Sequence, residues 1–146
     1  PEDYEQKIQD SHSVIPANEL LIHLGDVCLK DPAGAHDKFI KTWRCRKYLT
    51  LGNHDTKSYQ FYLDNYWNSV SEFLMLKKFG YRIAFSHFPL EDTGWFDLNI
   101  HGHFHNDDHR SKQFEHMYTD KHLLLALEKT DYKPVLLETL VKVWEK

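Results

Sequence analysis

Residues 46–55 read RKYLTLGNHD, an apolar stretch that stops at Gly52 and gives way to an amide, an imidazole and a carboxylate in a row. The first half has the make-up of a short strand. A turn after it needs only Gly52 and Asn53. Three consecutive side chains able to serve a cation or a proton are more than a turn requires, so the loop is expected to face something. The same design recurs. ELLIHLGD (19–26) ends in Gly25-Asp26, the run through residues 81–85 ends at Ser86-His87, and WFDLNIHGHFH (95–105) ends in histidines. In open α/β folds ligands sit beyond the carboxyl ends of strands. Separate strand ends, each carrying an oxygen or imidazole donor, therefore predict one shared site.

Working outward, residues 2–13 read as a polar surface helix, with Tyr4 and Ile8 on a narrow inner face and a break at VIPAN (14–18). DPAGAHDKFIKTWR (31–44) starts with turn residues and becomes a short helix. TKSYQFYLDNYW (56–67) is aromatic-rich and helix-compatible. SVSEFLMLKKFGYRIAFSHFPL (69–90) reads as two strands around a turn at Gly80. DKHLLLALEKTDYKP (120–134) reads as a strand plus turn, and an amphipathic helix is expected from Pro134 onward. With no repeat, low-complexity tract or linker in 146 residues, a single domain over 1–146 is expected.

Composition narrows the classes. Hydrophobic residues at 41% and charged residues at 27% match a globular domain rather than a disordered one. A formal net charge of -4 argues against non-specific nucleic-acid binding, which needs a basic surface. A nucleotide or nucleic acid as substrate has no positive support. No apolar run has the length of a membrane span. The two cysteines, Cys28 and Cys45, lack metal-type spacing and read as free thiols of a cytoplasmic protein.

The 11 histidines are the compositional excess, and their placement is the clue. Candidate ligands are the carboxylate of Asp26, the amide of Asn53 and the imidazoles of His87, His103 and His105. A mixed nitrogen and oxygen set suits Mn, Fe, Zn or Ni better than Mg or Ca. Absence of cysteine argues against a closed structural zinc site. His103 and His105 are two apart and share a side of an extended segment. His23 reads as a core residue, His101 as a support behind the site, and His36, His109, His116 and His122 as surface residues.

Four motifs, HLGDV (23–27), LGNHD (51–55), FSHFPL (85–90) and HGHFH (101–105), closely resemble those of calcineurin-like metallophosphoesterases, and ALEKTDYKPVLLETL (126–140) resembles the segment that closes the smaller members. The resemblance runs from about residue 14 to the end. It implies an α/β fold of two mixed β-sheets packed as a sandwich and flanked by helices. It also implies hydrolysis of a phosphomonoester or phosphodiester at a centre of two divalent ions, by attack of a metal-bridging hydroxide. By resemblance Asp26 bridges both ions, Asn53, His87 and His103 complete the second ion's shell, and His105 ligates the first. His54 then stands at the leaving group as hydrogen-bond or proton donor, with Asp55 orienting its ring.

The family pattern opens with a buried strand ending in Asp-x-His. Here the one candidate, Asp10-Ser11-His12, follows a polar helix, so both residues read as solvated and the first strand reads as missing. The alternative function is then a degenerate, metal-poor member acting as a protein-binding module. An uncovered sheet edge would also invite a homodimer.

Overall fold

The computed structural model describes residues 3–28, 30–103 and 119–146. The first sheet holds three parallel strands, β1 (Leu20–His23), β2 (Arg46–Thr50) and β3 (Ser69–Ser71), in the order β1-β2-β3. The second holds β4 (Phe73–Lys78), β5 (Tyr81–Ser86), β6 (Leu98–His101) and β7 (His122–Leu124), in that order. β4 and β5 form an antiparallel hairpin, and β5, β6 and β7 run parallel, so this sheet is mixed. The expected α/β architecture of two sheets with flanking helices is present, though the first sheet is all-parallel among its described strands. β3 has only polar residues around Val70, which is why its sequence shows no strand pattern.

The helices are α1 (Tyr4–His12), α2 (Pro32–Lys38), α3 (Tyr59–Asp64) and α4 (Leu137–Glu145). The starts of α2 and α3 are written locally. Asp31 accepts a hydrogen bond from the Gly34 amide at 3.2 Å with Pro32 in the first turn, and Ser58 accepts from the Phe61 amide at 3.1 Å. α4 begins at Leu137, three residues beyond the expected Pro134, because Leu136 is still extended at ψ 132°.

Strand alternation separates two cores. Leu21 and Leu49 pack with Ile40, Trp43, Tyr62 and Trp67 under the helices. Ile22 and Leu24 face the other way, into a cluster of Ile83, Phe85, Leu98 and Ile100 that also receives Val141 and Leu140 of α4. β1 thus ties the two sheets together. His23 is paired with Leu49, and Ser86 with His101, so strand ends lie level within each sheet. That puts the segments after β1 and β2 side by side, and likewise those after β5 and β6.

Three histidines read as surface or solvated residues are buried. His12 is 3% exposed, stacks on Trp43 at 4.7 Å and hydrogen-bonds the Ile8 carbonyl at 2.8 Å. His36 is fully buried, donating from Nδ1 to the Pro32 carbonyl at 2.7 Å and accepting the Trp67 indole N–H at Nε2, 2.9 Å away. His122 is buried with Nε2 donating to the Leu90 carbonyl at 2.6 Å. Each ring lies flat or edge-on against aromatic residues far off in sequence, which short-range reading cannot supply. Asp10 is exposed, as expected, and accepts from Gln6 at 2.7 Å.

Candidate functional site

The loop after β1 and the loop after β2 interlock backbone to backbone. Gly25 (φ +97°) is where the chain turns. A Cβ there would lie 2.6 Å from the Gly52 amide nitrogen and 2.8 Å from His87 Nδ1. A Cβ on Gly52 would lie 2.7 Å from the Asp26 amide and run into the Asp26 carboxylate. Both positions therefore need glycine, one for conformation and contact, the other for contact alone.

Asp55 fastens this junction. Its carboxylate accepts from the amides of Asp26 at 2.7 Å, Val27 at 3.0 Å and Gly52 at 2.8 Å. Asp26 returns the contact, its Oδ1 accepting the His54 amide at 2.8 Å. Asp55 does not support the His54 ring as expected: both Asp55 oxygens are taken by backbone amides, and the His54 side chain is exposed to solvent. Asp55 acts on the site by holding the loops that carry Asp26, Asn53 and His54. A carboxylate suits this place because it accepts without donating, and here every partner is an N–H.

His87 is 3% exposed and sits where the strand-end loops meet. Its Nδ1 donates to the Leu24 carbonyl at 2.8 Å, which leaves Nε2 as the free ring nitrogen. Nε2 lies 3.0 Å from Asn53 Oδ1, 3.1 Å from His103 Nδ1 and 3.3 Å from Asp26 Oδ2. It therefore faces two oxygen acceptors and a second imidazole, an arrangement satisfied by positive charge at their meeting point. Ligands about 2.0–2.2 Å from one ion, at angles near 90–110°, stand roughly 3.0–3.5 Å apart. The donors fit a divalent cation in type and in their spacing from His87. They meet pairwise at this one atom; among the described residues no group of three or more His, Cys, Asp or Glu side chains is placed to hold a metal ion.

Asp26 (φ 56°) and His103 (φ 76°) both hold left-handed backbone conformations that residues with a Cβ seldom adopt. Such outliers gather at functional sites. The Phe88 ring packs 4.5 Å from that of His103 and 4.9 Å from that of His87. His101 is buried at the end of β6, with Nδ1 3.1 Å from the Gly102 carbonyl, directly before His103. His105, His109 and His116 lie outside the described residues.

Sequence reading missed the supports of the His87 loop. Asn99 is fully buried. Its Oδ1 accepts the Leu90 amide at 2.8 Å, and its Nδ2 donates to the Ala84 carbonyl at 3.1 Å and to Ser86 Oγ at 3.0 Å. Ser86 in turn donates to the Phe88 carbonyl at 2.5 Å. With His122 on the Leu90 carbonyl, residues 86–90 are held from both sides. The signal was an Asn inside an apolar strand, Leu98-Asn99-Ile100, where a lone amide has to be satisfied.

Away from the site, burial pushes the His23 ring down to about 3, with the charges of His12, His87 and His36 adding to the effect. Its Nδ1 accepts the Gly25 amide at 3.1 Å, so a neutral His23 shapes the turn before Asp26. No helix among the described residues is long and apolar enough to cross a membrane.

Comparison with known proteins agrees on the fold. A protein of unknown function from Aquifex aeolicus, AQ665, superposes with a TM-score of 0.72 at 23% identity, covering 96% of this chain and 84% of that one. A structure described as a novel archaeal phosphodiesterase superposes with a TM-score of 0.53 at 17% identity, covering 86% of this chain and 77% of its own. No curated protein matches this sequence. The sequence pattern of calcineurin-like phosphoesterases, a family that generally binds divalent metals, matches residues 2–142, nearly the whole chain, and the chain belongs to that family.

Proposed function

We propose that this protein hydrolyses a phosphomonoester or phosphodiester with divalent metal ions held by Asp26, Asn53, His87, His103 and His105, two ions in the intact site. The observation that carries the reading is the meeting of an imidazole, a carboxylate and an amide oxygen around Nε2 of His87, at 3.0–3.3 Å, beyond the carboxyl ends of strands. Ions held there would supply positive charge for the phosphoryl oxygens and would lower the pKa of a bound water. Mn, Fe, Zn and Ni all suit such donors.

The chain's own residues do the rest. Asp26 and Asn53 are presented by two loops that Asp55 clamps together, so the donors are fixed before substrate arrives. His87 keeps its proton on Nδ1, against the Leu24 carbonyl, and offers Nε2 inward. His54 is solvent-facing, one residue from Asn53, where it is free to donate a proton to the departing ester oxygen.

The test is a pair of variants read by metal content and turnover together, on protein loaded with Mn. His54→Ala keeps its metal and loses turnover by a factor of about 10²–10⁴, the usual contribution of a general acid. Asp26→Ala loses metal. The role assignment fails if His54→Ala strips metal while Asp26→Ala retains it. A wild-type chain with neither metal nor turnover would favour the binding-module alternative instead.

A further inference from the structure

Beside the clamped loops lies a groove of about 480 Å³ that the proposed hydrolytic chemistry does not use. Gly52, Asp55 and Ser86 line it, so it opens from the same loops that carry His54 and His87. Its walls are rings and aliphatic side chains: Tyr59 from the first turn of α3, Phe73 from the start of β4, and Phe88, Leu51 and Leu90. Tyr59 and Phe73 are 48% and 49% exposed, so both rings present open surface beside these loops.

Charge decides what this groove can take. Its ionisable lining is Asp55 and Glu72 with the Tyr59 phenol; no Lys or Arg is among the described lining residues. A further phosphate or a nucleic-acid backbone would meet the Glu72 carboxylate there and no cation. The basic side chains Lys77, Lys78 and Arg82 line a different cavity, at the turn of the β4–β5 hairpin. The pairing of Phe73 with Ser86 and of Lys78 with Tyr81 sets that turn at the opposite end of the hairpin from the groove. What suits the groove is an uncharged flat group able to lie against aromatic faces.

We propose that the groove receives the leaving group of the substrate and selects esters in which that group is a neutral planar ring, an aryl-type alcohol or a nucleobase-bearing one. This rests on the phosphoesterase reading and adds to it the class of ester. The order of parts is consistent: His54 lies between Gly52 and Asp55 in sequence, and both of those face the groove.

The test uses two esters whose alcohols have closely similar acidity, benzyl phosphate and ethyl phosphate. Wild-type protein is expected to favour the benzyl ester in kcat/KM by about tenfold or more, the scale on which an apolar pocket discriminates. Tyr59→Ala and Phe73→Ala are each expected to shrink that preference, and together to bring it within about twofold of unity, with ethyl phosphate turnover unchanged. A second measurement needs neither metal nor turnover: benzyl alcohol, against ethanol, titrated onto 15N-labelled protein. Benzyl alcohol is expected to shift the amides of Gly52, Glu72 and Ser86 in the wild type and not in the double variant. Absence of those shifts overturns the groove whichever ester is cleaved. Equal turnover of the two esters overturns the leaving-group assignment and leaves the phosphoesterase reading standing. Shifts with neither ester cleaved, whether as the monoesters or as their methyl diesters, would leave an aromatic-binding groove and overturn the hydrolase, and with it the assignment to the leaving group.

Discussion

Asp55 is the residue whose work is least visible in its own motif. Three amides from two loops converge on one carboxylate that is 9% exposed. Asp55→Asn keeps the shape, but its NH2 would oppose at least one N–H, leaving a part-buried donor unpaired at a cost of about 1–3 kcal/mol. Urea unfolding should register that loss. Metal affinity should fall with it, because Asp26 and Asn53 lose their common tether. Asp55→Ala should be worse on both counts. If Asp55→Asn bound metal and unfolded like the wild type, the clamp would not hold these loops. Gly25 carries a parallel prediction. Gly25→Ala combines a left-handed backbone with a contact of 2.6 Å to the Gly52 nitrogen, so it should destabilise by more than the roughly 1–3 kcal/mol of conformational strain alone.

At the level of elements, β6 does two jobs with its two faces. Leu98 and Ile100 enter the core, while Asn99 and His101 point the other way and are equally buried. Asn99 holds the 86–90 loop through the Leu90 amide and through Ser86. Asn99→Leu should therefore cost stability, about 1–3 kcal/mol from the buried Leu90 amide left without its acceptor. It should also lower turnover through the displaced His87 loop. Asn99→Asp keeps the acceptor toward Leu90 and should recover part of both. Equal losses in Asp and Leu variants would show that the amide N–H bonds, not the Leu90 contact, position the loop.

For the whole molecule, the buried histidines set the response to acid. His12, His23 and His36 all have pKa values lowered by burial, His23 to about 3. In the unfolded chain each titrates near 6.5, at roughly the ordinary histidine value. Below that point the unfolded chain takes up protons that the folded one refuses, so stability falls with falling pH. It is at full strength above about 6.5 and is lost progressively toward the folded pKa values, about 3 for His23. Asp97, held down to about 2 by the Arg82 guanidinium, works in the same direction only at lower pH. Urea midpoints at pH 7.5 and pH 5 should differ in favour of the former, and His36→Phe should reduce that difference, since Trp67 and Pro32 then face a ring that does not titrate. An unchanged midpoint across this interval would mean the histidines protonate without opening the fold.

The primary structure by itself determined the strand–loop rhythm, because strand alternation, glycine turns and the run of donors after Leu51 are local properties of adjacent residues; the two-sheet α/β class and the family came from the resemblance carried by the four short motifs. That Asp26, Asn53, His87 and His103 lie in strand-end loops was legible for the same reason: each comes within three residues of the end of a strand. What only the tertiary structure decided was who touches whom. Asp55 turned out to bind amides 28 and 29 residues away rather than the neighbouring imidazole. His12, His36 and His122 turned out to be buried against Trp43, Trp67 and the Leu90 carbonyl. Asn99 became the support of a loop nine residues before it in sequence. These are long-range hydrogen bonds and ring contacts, made possible by strand register, and register is set by how whole apolar faces pack rather than by any short stretch of residues.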